Sequence, residues 1–142
     1  MAYQRVTRGY CDWDTMDLDF YYRQLLIDGL THFKENLHSA PYDFNSFEGK
    51  HEKKEHSDDF LMWQEYIGDI IYCLQMSDEE YEFGLKNKYE EEYFRLLLGG
   101  ENVPKELAET YWEEELKLKS RRHEYLEDGF HMLARYFEHL WD

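Results

Sequence analysis

A run of charge bracketed by histidines, His51-Glu52-Lys53-Lys54-Glu55-His56, carries the residue types that hold zinc and supply a general base. Zinc proteases arrange them as H-E-x-x-H, so that histidines four apart share one helical face. Here the two stand five apart, and a helix would turn them about 140° from each other. The reversed order H-x-x-E-H fails too, because residue 52 is Glu where its first histidine would stand. The run reads as a solvated loop that binds metal only adventitiously, and the sequence assigns no metal and no cofactor. Nucleophilic chemistry has less support. Ser39, Ser46, Ser57, Ser77 and Ser120 stand in no nucleophile-elbow context, and Cys73, inside an apolar stretch, is expected to be buried. Gly9 is alone and Gly99-Gly100 reads as a helix stop, so there is no phosphate loop.

Binding chemistry has two sources. Arg8, Tyr10 and Trp13 lie close together near the N-terminus, and Lys117, Lys119, Arg121 and Arg122 are the dense basic cluster of an otherwise acidic chain. Arginine beside aromatic rings can stack on a nucleotide and neutralise it. The bland alternatives stay open: Arg8 pairing with a nearby acid, and the 117–122 cluster pairing along a helix with Glu113 to Glu115.

The elements that would carry these residues are helices. Phe60 to Gln75, FLMWQEYIGDIIYCLQ, is apolar around most of its circumference at helical spacing, with Phe60, Trp63, Ile67, Ile70, Ile71 and Leu74 in one stripe. Leu61, Met62, Tyr66, Tyr72 and Cys73 extend that surface, so a helix over 60–76 is expected at the centre, with Trp63, Ile67, Ile70 and Leu74 almost fully buried and other helices covering several sides. Ser57 is a candidate cap, with Asp58 and Asp59 in the first turn.

Ahead of it, residues 1–16 read as an ordered arm, and Asp14 or Asp17 as the start of a helix whose buried face is Leu18, Tyr22, Leu25, Leu26, Gly29, Leu30, Phe33 and Leu37. Phe20 and Ile27 stand on its polar side and suggest a small contact with a second subunit, hence a homodimer. After the central helix, Ser77 and Glu80 form a capping box for a helix that runs to Gly99-Gly100. From Pro104 to Trp141 one long helix and two joined near Ser120 are both open, with Leu126, Gly129, Phe130, Leu133, Tyr136, Phe137, Leu140 and Trp141 on the apolar face of the last part.

Length and composition bound the rest. A chain of 142 residues is expected to be a single domain over 1–142 with a core that needs no disulfide. Its 16 basic and 32 acidic residues give a formal charge of −16, which repels nucleic acid and anionic lipid. Cys11 and Cys73 are far apart, MAYQRVTRGY has no apolar core, and no run nears the roughly 20 apolar residues of a membrane span, so a soluble cytoplasmic protein is expected. The 13 Tyr, 9 Phe and 4 Trp are an excess that suits interfaces as well as cores.

Three stretches, R-G-Y-C-D-W-D-T-M-D-L-D at Arg8 to Asp19, W-Q-E-Y-I-G-D-I-I-Y at Trp63 to Tyr72 and E-D-G-F-H-M-L-A-R-Y-F-E-H-L-W at Glu127 to Trp141, resemble an uncharacterised family of short bacteriophage proteins. Cys11 stands where that family has a serine, and the similarity skips Ser77 to Ser120. The resemblance implies a shared fold and a viral origin, and no activity. Separately, Glu65 and Asp69, one turn apart, resemble the carboxylate helix of all-α nucleoside triphosphate pyrophosphohydrolases, which hold magnesium between carboxylate pairs on two helices. Tyr66 replaces an expected acid, and Glu124 and Asp128 point away from the apolar face of their helix.

The reading is therefore an all-α bundle of four or five helices around the helix at 60–76, with an ordered N-terminal arm. It implies a phage-type accessory protein that works without catalysis in the host cytoplasm by binding a host protein, such as a defence component. The alternatives are sequestration of a small nucleotide signal and, more weakly, metal-dependent nucleotide pyrophosphohydrolysis.

Overall fold

The computed structural model describes residues 18–41, 44 and 56–141. Among them the chain is all-helical: α1 (Leu18–Glu35), α2 (His56–Met76), α3 (Glu90–Leu98), α4 (Lys105–Arg135) and a closing 3-10 turn (Phe137–Trp141), with no strand. The expectations for the arm, for Asp14 and Asp17 as helix starts, and for the 51–55 run lie outside the described residues.

The chain divides into two compact units, Met1–Ile71 with Leu133–Asp142, and Tyr72–Met132. In the first unit, the all-round apolar sequence of α2 puts Trp63, Ile67 and Ile70 out of reach of solvent, together with Ile27 and Leu30 of α1, Phe44, Leu133 and Tyr136. Rings dominate that core. Trp63 and Tyr66 stack one turn apart, and Phe44 and Tyr136 each meet both of them at centroid distances of 5.1 to 5.8 Å. Edge-on and stacked pairs of this kind add about 0.5 to 1.5 kcal/mol each beyond their burial. The phenol of Tyr136 reaches the same place with its polar end satisfied, its Oη donating to the Phe44 carbonyl at 3.0 Å.

Several sequence expectations are corrected in this unit. Leu30 is buried as expected, but Leu18, Tyr22, Leu25 and Gly29 of the expected face are exposed, and Ile27, expected on the polar side, is buried. Ile27 therefore cannot pair with the exposed Phe20 to make a subunit contact. Apolar residues occupy more than half of the circumference of α1, so periodicity alone does not choose which arc is covered. In addition, α2 begins at His56, ahead of Ser57, which lies inside the first turn. Nor is α2 covered all round: Leu61, Glu65, Asp69 and Tyr72 form a solvent stripe.

The second unit holds the end of α2, a loop over 77–89, α3 and α4 up to Met132. Its buried side chains are Leu74, Met76 and Tyr111, with Ser77 and Asn87 as buried polar groups. Helices α2 and α4 approach closely at Gly129, where a Cβ would lie 3.1 Å from the Cβ of Cys73 and 3.5 Å from a Leu74 methyl. Cys73 is only half-buried. The expected capping box at Ser77 is not formed: the Ser77 hydroxyl donates backwards to the Leu74 carbonyl at 2.7 Å, and its N–H to Cys73, which makes it the end of α2 and not a beginning. Residues 78–89 are turns, and α3 is a short helix that starts at Glu90. It stops as anticipated at Gly99-Gly100, through Glu101 N–H to the Leu96 carbonyl and Gly100 N–H to Leu97, with Gly100 at φ 71°, a conformation glycine adopts without strain. The stretch after Pro104 is one helix of 31 residues, which resolves the alternative of two.

Candidate protein-binding face

The α3–α4 hairpin presents several exposed large apolar side chains of the second unit. Tyr93 of α3 and Tyr111 of α4 stack face to face, 4.2 Å between centroids and 3° from parallel, and this pair is the seam between the two helices. Phe94 stands edge-on to Tyr111, and Trp112 edge-on to both tyrosines, so the four rings are continuous. Tyr111 is buried by them, whereas Trp112 is 56 % exposed, Leu116 one turn further 68 %, and Leu98 at the end of α3 83 %. Phe94 and Leu97 are also exposed. Helical spacing explains the arrangement, because Trp112 and Leu116 lie about 40° apart on α4 and about 100° and 140° from Tyr111, turned out of the seam on the same side.

Charge surrounds these side chains. From Glu90 to Leu116 the chain has nine glutamates against Arg95 and Lys105. Three of the glutamates open α3, where the positive end of its dipole favours them. Lys105 is engaged by Glu109 at 3.6 Å in an exposed pair, which holds little energy. Burial, with the negative charge of Glu115 and Glu90 as lesser causes, pushes the Tyr111 phenol above its ordinary pKa.

The hairpin is fixed to the preceding loop by a polar clamp that the sequence did not reveal. Asn87, buried, donates to the Tyr111 carbonyl and to Glu115 Oε1, both at 3.0 Å, while its Oδ1 accepts from the Tyr89 N–H at 3.0 Å. Glu115 also faces Arg122 at 3.9 Å, and Arg122 donates to the Leu85 carbonyl at 3.0 Å. One local signal was present: an asparagine whose Oδ1 can accept from the N–H two residues on, as Asn87 does from Tyr89, marks a turn.

This clamp changes the meaning of the basic cluster. Arg122 is committed to the loop and largely buried. Arg121, exposed, pairs with Glu124 at 3.7 Å and lies over the Tyr125 ring at 5.9 Å. Lys117 and Lys119 are exposed, and on a helix they point about 160° apart. The four residues are neighbours in sequence but are spread around α4. Arg8, Tyr10 and Trp13 lie outside the described residues.

A second aromatic group sits on the same unit, where Tyr72 and Tyr125 meet edge to face at 5.9 Å. Their mutual hydrogen bond is the main reason the Tyr72 phenol is raised above its ordinary pKa. Phe83, at the tip of the 77–89 loop, is exposed and edge-on to Tyr81. Glu65 and Asp69 are both exposed, and among the described residues no three His, Cys, Asp or Glu side chains come together as a metal site would require. Among the described residues no helix is long and apolar enough to cross a membrane. No protein-family model, curated protein or solved structure matches the chain.

Proposed function

We propose that this chain acts by binding another protein, without catalysis, and that the α3–α4 hairpin is the surface it uses. The observation that supports this is the set Phe94, Leu97, Leu98, Trp112 and Leu116, apolar and exposed on two helices joined by a ring stack and flanked by glutamate. Tryptophan and other aromatics at the centre with charge at the rim is the anatomy of protein-binding patches. The hairpin is also braced by the Asn87–Glu115–Arg122 clamp, so it presents these side chains with little ordering left to do. Given the likeness of three stretches to phage proteins, the partner is a protein of the host cell, with a defence component as the class to examine first.

A photo-crosslinking amino acid at position 112, compared with one at the exposed position Leu61 of the first unit, tests this in host cells. The reading expects a discrete crosslinked protein from position 112 that is absent from position 61. The same products from both positions, or none from either, would remove the hairpin as a binding surface.

A further inference from the structure

We infer that the partner docks on the α3–α4 face through a basic amphipathic segment, one that sets apolar side chains on Trp112 and Leu116 and brings arginine or lysine to the glutamate rim. This rests on the reading of that face as the binding surface, and adds the chemistry of what it binds. The argument is one of complementarity. Glu90, Glu91, Glu106 and Glu113, each within about 80° of an exposed apolar residue on its own helix, make no ion pair among the described residues. The Lys105–Glu109 pair, 88 % and 62 % exposed at its side chains, can be exchanged for a partner cation at little cost. By contrast Glu115 is committed to Asn87 and Arg122 and contributes nothing to the rim.

An apolar patch inside such a rim discriminates in a definite direction. An acidic or neutral segment could cover Trp112 and Leu116 but would leave the glutamates crowded and unpaired, and an acidic one would add like charge. A basic segment relieves the crowding. Arginine gains twice, since its guanidinium can pair with a carboxylate and lie on the exposed indole of Trp112. The formal charge of −16 on the whole chain would also steer a cation towards it, so that association depends on salt. A second copy of this chain is disfavoured on the same ground, because two such hairpins would bring their glutamate rims together.

The test uses the full chain and three labelled synthetic peptides of 18 residues, each with leucine at i, i+3, i+4 and i+7 spacing and with the remaining positions arginine, glutamine or glutamate. Binding is read by fluorescence anisotropy at two salt concentrations. The arginine peptide is expected to bind, to weaken by tenfold or more from low to high salt, and to lose about tenfold for Trp112→Ala or Leu116→Ser and severalfold for Glu109→Gln/Glu113→Gln. Leu61→Ser is the control and should change nothing. All five positions are exposed, and a melting curve for each variant verifies that it folds. If the glutamine peptide binds as well as the arginine peptide, with both lost in Leu116→Ser, the basic chemistry is wrong while the docking face stands. If no peptide binding responds to Trp112 or Leu116, the face itself is wrong. Light scattering that shows a dimer dissociated by Leu116→Ser would mean a second copy is the occupant, and would overturn the proposal.

Discussion

Replacing Asn87 tests whether the polar clamp holds the second unit together. The side chain makes three hydrogen bonds from a buried position, to the Tyr111 carbonyl, to Glu115 and from the Tyr89 N–H. Neutral bonds are worth about 1 kcal/mol net and a bond to a charged group about 1.5 to 3 kcal/mol. The Glu115 side chain is 27 % exposed and keeps Arg122, so water can replace part of what it loses. Asn87→Ala should therefore cost about 2 to 4 kcal/mol, which for a chain of this size lowers the melting temperature by roughly 10 °C. Asn87→Asp is the sharper variant. It preserves the shape and the acceptor for Tyr89 but turns the two donor positions into acceptors facing a carbonyl and a carboxylate. Beside Glu115 and buried, the new carboxyl has a folded pKa above its unfolded one, so it destabilises at neutral pH and is relieved as pH falls through the folded value. Circular-dichroism melts between pH 5 and 8 should show Asn87→Asp below Asn87→Ala at pH 7, with the gap closing towards pH 5. A melting temperature within about 2 °C of the parent for either variant at pH 7 would refute the clamp.

Three other outcomes follow from the same geometry. Ile70, 1 % exposed, should cost about 2 to 5 kcal/mol when cut to alanine, read as a lower urea midpoint with an unchanged slope. The phenols of Tyr111, raised first by burial, and Tyr72, raised first by its bond to Tyr125, stay protonated in the folded chain beyond the ordinary value near 10. Stability should thus be level below about pH 10 and fall as pH rises through the folded values, less steeply in Tyr111→Phe; urea midpoints that stay flat to pH 11 would contradict this. With magnesium or manganese the protein should leave a panel of nucleoside triphosphates and cyclic nucleotides intact, and turnover that disappears in Asp69→Asn would replace binding with hydrolysis as the function.

How far the fold could be read in advance depended on how many solutions each segment allowed. For α2 there was one: Trp63, Ile67, Ile70 and Leu74 fall on a single stripe, and they are the most fully buried large side chains described. For α1 there were several, since Leu18, Tyr22 and Leu25 are as apolar as Ile27, and periodicity alone does not say which arc beside Leu30 is covered. Ser77-x-x-Glu80 failed for another reason. A four-residue signature records local hydrogen-bonding options, and the Ser77 hydroxyl had a second one in the Leu74 carbonyl at 2.7 Å. The start of α3 has no side-chain cap, and Asn87, in the turn before it, is held by residues 24 and 28 positions away; separations of that kind leave no periodic trace.

The candidate face was legible only as composition. Its aromatic residues belong to an excess of 26 rings, and the fold shows that such an excess serves two ends. Around Trp63 the rings close on one another and on the Phe44 carbonyl, so that Phe44, Trp63 and Tyr136 are buried by the chain itself. Around Tyr111 they do not close. The Tyr93–Tyr111 stack uses two ring faces and leaves the indole of Trp112 and the side chain of Leu116 outside, although moving the tryptophan by one position on α4 would turn it about 100° and away from that side. A helix of 31 residues, 14 of them charged, has in Trp112 two edge-on ring contacts but leaves more than half of that residue in solvent beside three consecutive glutamates. What Trp112 has is a rigid seat, a neighbouring aliphatic side chain and nearby glutamates of which several make no ion pair among the described residues, and those are the properties that a partner, not the fold, can use.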